Sequence, residues 1–148
     1  MNDQFQLLET KRFLPLFITQ FLGAFNDNVF KNAVVILITF RIASLNNDAM
    51  QLLVTTAPIL FTLPFLLFSA LAGQIADKYE RSRLVSIVKF FEIILMFLAA
   101  ISFFTQNIFL MMVVLFLVGT QATFFGPLKY ALLPDHLHEK ELIGGNGL

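Results

Sequence analysis

Two long stretches of the chain, residues 49–76 and 93–128, contain no charged side chain. Their apolar positions do not alternate with polar ones, so the short alternating strands of a membrane barrel are not indicated. A helix crosses the hydrocarbon core of a membrane in about 20 residues. We therefore predict an all-α fold, a polytopic membrane helix bundle. Its helices are expected at about residues 13–40, 51–76, 84–103 and 108–125.

Polar segments mark the connections between these helices. We expect a loop at residues 77–83 and a polar turn at residues 105–107. Pro58 and Pro64 lie inside the second helix, which membrane helices tolerate because neighbouring groups satisfy the freed carbonyls. Residues 144–148, Gly-Gly-Asn-Gly-Leu, look like the start of another element. We therefore expect a fifth helix to begin there, in a chain that is part of a longer protein.

A cleaved signal peptide is the alternative interpretation of the N-terminal segment. Lys11 and Arg12 would form its basic region. The apolar stretch that follows is too long for such a peptide, however, and Asn26, Asp27 and Asn28 interrupt it. No small-residue cleavage site is evident either, so we interpret the segment as a true membrane helix.

The composition excludes several classes of protein. Hydrophobic residues make up 57% of the 148 residues and charged residues 14%, against roughly 45–50% and 25% in soluble domains. A soluble chain of this size could not bury so much apolar surface. The net charge is zero, so no nucleic-acid partner is indicated. Because there is no cysteine, disulfide frameworks, cysteine zinc sites and thiol catalysis are also excluded.

The distribution of lysine and arginine predicts the orientation, since cytoplasmic loops carry an excess of both. Lys78, Arg81 and Arg83 fall in the loop after the second helix, while the turn after the third carries no charge. The predicted topology places four further basic residues on the same side of the membrane as this loop: Lys11, Arg12, Lys129 and Lys140. Arg41 is the exception. We therefore expect the N-terminus and the 77–83 loop to be cytoplasmic.

The first helix carries a polar stripe. Gln20, Gly23, Asp27 and Lys31 are spaced by three, four and four residues, so they share one face. Asn26 flanks this stripe, and Asn28 lies to one side of it. A charge at membrane depth is costly and must face a partner or water.

Two interpretations of the stripe follow. Asp27 and Lys31 have the favourable acid-first i,i+4 order and could form an inert ion pair. The alternative is a polar cavity wall that binds a charged substrate or a coupling ion. We favour the cavity because uncharged amides extend the stripe. Asn26, Asn28 and Gln20 are therefore candidate pathway residues together with Asp27 and Lys31.

Charged residues elsewhere extend this candidate pathway. Lys89 and Glu92 lie in the third helix at i,i+3. Lys89 is close enough to the cytoplasmic loop to extend its ammonium to the membrane surface. Glu92 lies deeper and has a shorter side chain, so it needs a partner such as Lys89 or a basic group of another helix. Lys129, at the end of the fourth helix, completes the set of expected pathway residues.

No catalytic set, metal site or cofactor site is expected. His136 and His138 at i,i+2 would share a face only on a strand, and neither a third ligand nor a serine–acid partner is near them. We interpret His136, His138 and Glu139 as a solvated segment after the fourth helix. Residues 144–147 lack the strand and lysine that accompany a phosphate-binding glycine loop.

The end of the second helix and the loop after it carry a motif. Residues 73–83 read Gly-Gln-Ile-Ala-Asp-Lys-Tyr-Glu-Arg-Ser-Arg. This order resembles the pattern Gly-x-x-x-Asp-(Arg/Lys)-x-Gly-(Arg/Lys)-(Arg/Lys) between helices two and three of the major facilitator superfamily, with Glu80 and Ser82 as departures. The resemblance implies that a conformational-switch loop is present. Its residues are expected to be Gly73, Asp77, Lys78 and Arg81.

Two further segments narrow this resemblance. Residues 20–28 (QFLGAFNDN) and 126–134 (GPLKYALLP) are similar to the lysophospholipid transporter branch of the superfamily. The sequences of these two segments are most similar to those of bacterial proteins in which the transporter precedes an acyltransferase and an acyl-carrier-protein synthetase. This implies a twelve-helix transporter that flips lysophosphatidylethanolamine inward across the bacterial inner membrane for re-acylation. The chain would supply the first four helices of the N-terminal six-helix half.

The resemblance also implies partners and leaves alternatives open. Membrane lipids, a lysophospholipid substrate and a fused or separate acyltransferase are the expected partners. The main alternative is a non-transporting membrane domain that anchors a fused phospholipid acyltransferase, in which case the intramembrane charges would be closed pairs. A membrane enzyme is the third possibility, and this stretch holds no assembled catalytic set for it.

Overall fold

The computed structural model describes residues 7, 10, 13–42 and 47–137, and four helices account for nearly all of them. They are α1 (Leu14–Ile42), α2 (Asn47–Lys78), α3 (Arg81–Phe104) and α4 (Ile108–His136). No strand occurs in these described ranges. The prediction of an all-α helix bundle is therefore confirmed. The expected fifth helix at residues 144–148 lies outside the described residues.

All four helices are long and apolar enough to cross a membrane. The shortest apolar span, Arg81–Phe104, has 24 residues. At about 1.5 Å per residue it extends about 36 Å, more than the roughly 30 Å of a hydrocarbon core. Large apolar side chains such as Phe40, Leu66 and Phe104 lie exposed on the outside of the bundle. This outer surface suits contact with lipid.

The helices are longer than hydrophobicity alone predicts. The expected loop at 77–83 is mostly helical, because α2 ends at Lys78 and α3 begins at Arg81. The fourth helix, expected over about residues 108–125 with an extension past Pro127 left open, runs through Pro127 to His136. Helices extend past the hydrocarbon core wherever the interface accepts polar side chains, and neighbouring groups satisfy carbonyls near prolines. Here Arg81 Nη1 donates a hydrogen bond to the Ala131 carbonyl at 2.8 Å.

A tight turn joins α3 to α4. Gln106 adopts a left-handed backbone conformation with φ of 51°. The Asn107 side chain then accepts a hydrogen bond from the Leu110 N–H at 3.0 Å, which caps the first turn of α4. The two helices are thereby held as antiparallel neighbours.

The central helix of the bundle is α4, which packs against α2, α3 and α1. An apolar core surrounds it, formed by Phe30, Val34, Ile38, Ala57, Leu95, Ala99, Met111, Met112, Val114, Leu115 and Val118. Gly119 lies against the backbone carbonyl of Phe61, so α2 and α4 approach each other closely at that point. The helices α1 and α3 contact each other little, and this leaves a space between them.

Candidate substrate site between α1, α3 and α4

Asp27 is the least satisfied polar group of the described helices. Its Oδ1 atom is buried and has no hydrogen-bond partner within the described part of the chain. Buried polar atoms are nearly always hydrogen-bonded, because an unpaired one forfeits its interaction with water. Such an exception marks a place where a ligand that donates hydrogen bonds or carries a positive charge would be stabilised.

The carboxylate lines a cavity of about 140 Å³ enclosed by α1, α3 and α4, which we call the polar cavity. Its polar and charged lining residues are Gln20, Asp27, Lys89, Glu92, Gln121 and Lys129. The structure thus brings together five of the eight candidate pathway residues and adds Gln121. Two acidic and two basic residues line one space, so its formal charge is balanced.

An ion pair neutralises half of these charges. Lys89 Nζ donates to Glu92 Oε2 at 2.7 Å, and the two side chains are only 23% and 15% exposed. Gln121 Nε2 donates to the same Glu92 oxygen at 3.1 Å. The Lys89 ammonium also lies 4.4 Å from the centroid of the Phe125 ring. Lys89 therefore points into the bundle rather than to the membrane surface, and the pair in α3 is tied to α4.

Asp27 and Lys31 do not form the ion pair that their spacing allows, as far as the described side chains extend. Lys31 Nζ instead donates to Asn28 Oδ1 at 3.2 Å and lies 5.3 Å from the Phe61 ring centroid. The Asn28 amide donates to the Ala24 carbonyl at 2.8 Å. Neither Lys31 nor Asn28 lines the polar cavity. Of the predicted stripe, Gln20, Gly23 and Asp27 line the cavity, whereas Lys31 does not.

A larger space of about 610 Å³ adjoins the polar cavity between α1 and α3, and we call it the apolar groove. Asn26 and Thr19 line one part of it. Its apolar lining residues are Leu22, Ile93, Met96, Phe97 and Ala100. Gly23, Lys89 and Glu92 line both spaces. The arrangement therefore places a charged compartment directly beside an apolar one.

The four switch-loop residues lie away from both spaces. Asp77 and Lys78 are exposed at the end of α2, and Lys78 Nζ lies 5.6 Å from the Tyr79 ring centroid. Arg81 contacts α4 through its hydrogen bond to Ala131. A Cβ added at Gly73 would meet no atom within 4 Å. Gly73 is therefore not a point of close approach between the described helices.

The described residues contain no group of three or more potential metal ligands from histidine, cysteine, aspartate and glutamate. His136 is the last residue of α4. His138 and Glu139 lie outside the described residues, so the expected solvated segment stays a prediction there.

Sequence reasoning missed Gln121 and Phe125. Gln121 is 9% exposed and supplies the amide that holds Glu92. Its signal in the sequence was a glutamine inside a helix that is otherwise almost entirely apolar, where an unpaired amide is unfavourable. Phe125 carried no such signal, since 19 phenylalanines occur in the chain and most of them could face lipid.

Comparison with known protein families identifies a family for the chain. A family profile of the major facilitator type, described as transmembrane secretion effector, matches residues 4–145. No curated protein and no solved structure matches the chain.

Proposed function

We propose that this chain, which belongs to the transmembrane secretion effector family of major-facilitator-type transporters, binds and moves a lysophospholipid. Lysophosphatidylethanolamine is the first candidate, carried across the bacterial inner membrane for re-acylation by a fused or separate acyltransferase. One observation carries the proposal. The unpartnered carboxylate of Asp27 lies in a charged cavity that adjoins an apolar groove.

The polar cavity suits a zwitterionic headgroup. An ethanolamine ammonium would donate hydrogen bonds to Asp27, whose buried oxygen has no donor among the described residues. The phosphate needs a cation, and Lys129 lines the same cavity without an ion pair in the described part of the chain. Charge-assisted hydrogen bonds of this kind are about twice as strong as neutral ones.

The apolar groove suits an acyl chain. Its walls are formed mainly by aliphatic and aromatic side chains, including Leu22, Ile93 and Phe97. Each buried methylene contributes roughly 0.8 kcal/mol, so a long acyl chain would add substantially to binding. A single-chain phospholipid combines the two chemistries that the cavity and the groove present side by side.

Transport follows from the family. Transporters of this kind bind substrate near the middle of the membrane, and two helix bundles rock to expose the site to either side. In our proposal the N-terminus is cytoplasmic, the loop with Gly73, Asp77, Lys78 and Arg81 accompanies the rocking motion, and Asp27 contacts the headgroup. The chain then acts by binding and release, without a chemical step.

Asp27→Asn tests the proposal. The change removes the charge but keeps nearly the same shape, and asparagine inserts into membranes more easily than aspartate. We expect normal expression and loss of most uptake of radiolabelled lysophosphatidylethanolamine into vesicles that carry the full-length protein. The loss is expected because the headgroup ammonium no longer meets a carboxylate.

The double variant Asp27→Asn/Lys31→Met separates binding from simple charge neutralisation. Lys31 contacts Asn28 and Phe61 rather than Asp27, so removing Lys31 is not expected to restore uptake. Recovery of the double variant to wild-type rates at matched expression would show an inert ion pair and overturn the role of Asp27.

A non-transporting anchor domain is the second candidate function. The closed ion pair of Lys89 and Glu92 favours it, because a purely structural domain would neutralise its intramembrane charges. This alternative predicts no lysophospholipid uptake above that of empty vesicles, even for the wild-type protein. The same uptake measurement therefore distinguishes the two functions.

A further inference from the structure

Gly23 has an unusual neighbour for a glycine in a membrane helix. A Cβ added at this position would lie 2.8 Å from Lys89 Nζ and 3.6 Å from Glu92 Oε1. Gly119 differs, since a Cβ there would overlap the backbone carbonyl of Phe61. Gly119 thus permits two helix backbones to approach, whereas Gly23 makes room for the charged end of a side chain.

The space beside Gly23 that the Lys89 ammonium occupies lies where the polar cavity meets the apolar groove. Gly23, Lys89 and Glu92 are the three residues that line both the polar cavity and the apolar groove. The ion pair therefore lies at the junction of the two spaces. In a lysophospholipid bound as proposed, the glycerol that joins the phosphate to the acyl chain would lie at this junction.

The contacts of Lys89 and Glu92 determine which atoms move when a methyl group is added at position 23. Glu92 is held by Gln121 of α4 as well as by Lys89. The Lys89 ammonium is the end of a flexible side chain, with the Phe125 ring 4.4 Å away. A methyl group at position 23 would therefore displace the ammonium, and the helices and the carboxylate would keep their places.

We propose that residue 23 is a specificity-determining position. Glycine there admits the Lys89 ammonium to the junction, where its positive charge acts beside that of Lys129 on the phosphate of a bound lysophospholipid. The inference rests on the proposed function and deepens it, because it names the residue that controls discrimination between headgroups. Lysophosphatidylglycerol has the phosphate but no ammonium, so it depends more on Lys89 than lysophosphatidylethanolamine does.

The first test is Gly23→Ala in the full-length protein, reconstituted in proteoliposomes. We expect the ratio of KM for lysophosphatidylglycerol to KM for lysophosphatidylethanolamine to rise by up to about fourfold. The displaced Lys89 ammonium attracts the phosphate of both substrates less, but it also repels the ethanolamine ammonium less, so the loss is offset in lysophosphatidylethanolamine alone. The upper limit is the effect of moving a unit charge from roughly 4 to roughly 5 Å from its partner at an effective dielectric constant of about 20. The melting temperature in detergent should change little, since the cost of lengthening the Lys89–Glu92 ion pair is offset by the gain from alanine in a helix. An unchanged KM ratio would overturn the proposal.

The second test does not depend on transport. In a Lys89→Met background the side chain ends one atom before the ammonium, so the added methyl group displaces nothing. Gly23→Ala should then raise the melting temperature more than it does in the wild-type background. Equal effects in both backgrounds would refute the role of residue 23. Coupling between the two positions without wild-type lysophosphatidylethanolamine uptake would refute the proposed function and with it the discrimination between headgroups, but not the contact between residue 23 and Lys89.

Discussion

Most hydroxyl side chains in the helices donate a hydrogen bond to a backbone carbonyl of their own helix. The hydroxyls of Thr19, Thr39 and Thr62 each donate to the carbonyl four residues earlier, at 2.8–2.9 Å. A carboxylate cannot do this because it has no proton to donate when ionised. Asp27 therefore depends on donors from outside its own turn, which is the physical reason that it, and not a threonine, marks the site.

Glu92→Gln is the residue-scale prediction. The change removes the negative charge that Lys89 contacts at 2.7 Å and leaves the ammonium largely buried without compensation. Removing one partner of a buried pair costs about 3 kcal/mol, at the lower end of the measured range because this pair is partly exposed. We expect a clearly lower melting temperature of the purified protein in detergent.

Glu80→Gln is the matched control for this prediction. Glu80 and Arg83 have the same i,i+3 spacing and a distance of 2.9 Å, but their side chains are 63% and 83% exposed. Water screens such a pair, so its removal should leave the melting temperature nearly unchanged. An equal fall in melting temperature in both variants would show that burial does not control the strength of the Lys89–Glu92 ion pair.

At the scale of the elements, the close contact of α2 and α4 determines the shape of the bundle. Gly119 allows it, since the Phe61 carbonyl occupies the space that a side chain would need. Around this point Leu115 and Val118 of α4 are almost completely buried in the apolar core. The position of α4 in turn brings Gln121 and Phe125 to the ion pair in α3.

Gly119→Ala is the prediction at this scale. The added methyl group would overlap backbone rather than a flexible side chain, so the two helices must separate. Overpacking of this kind costs about 1–3 kcal/mol, and we expect a lower melting temperature in detergent.

Gly126→Ala serves as the control on the same helix. A Cβ there meets no atom within 4 Å. Alanine stabilises a helix interior by up to about 1 kcal/mol relative to glycine, so the melting temperature should stay the same or rise. A similar fall in both variants would contradict the close contact between α2 and α4.

At the scale of the whole molecule, the bundle creates a site that no single helix contains. Asp27 comes from α1, Glu92 from α3 and Gln121 from α4, and they line one cavity around the central helix. The outer faces stay apolar, as lipid contact requires. A membrane protein with charges inside and apolar surface outside is the arrangement that transport of a charged or amphiphilic molecule needs.

The orientation is tested by cysteine labelling, since the chain has no cysteine of its own. Asp48 lies in the first turn of α2 and Ser82 in the first turn of α3, so the two positions lie near opposite ends of α2. With the N-terminus in the cytoplasm, Asp48→Cys should react with a membrane-impermeant thiol reagent added to intact cells, and Ser82→Cys should react only after the membrane is opened. The reverse pattern would overturn the predicted orientation.

The sequence by itself determined the class of the fold. Uninterrupted apolar stretches of this length are stable only as membrane helices, because every backbone polar group must be paired inside the segment. It also singled out Asp27, Lys89 and Glu92 as charged residues within membrane helices, because a charge among apolar residues is costly enough to require a function or a partner. Helix ends were less predictable, as the continuation of α4 to His136 shows.

Only the tertiary structure decided which polar groups meet. Spacing along α1 allowed Asp27 to pair with Lys31, yet Lys31 turns to Asn28, and Asp27 faces Lys89, Glu92 and Gln121 across the polar cavity. The role of Gly23 was equally hidden, because it depends on a lysine of another helix. Periodicity fixes the face of one helix on which a residue lies. The packing of several helices fixes what that face meets, and this depends on contacts between residues far apart in the chain.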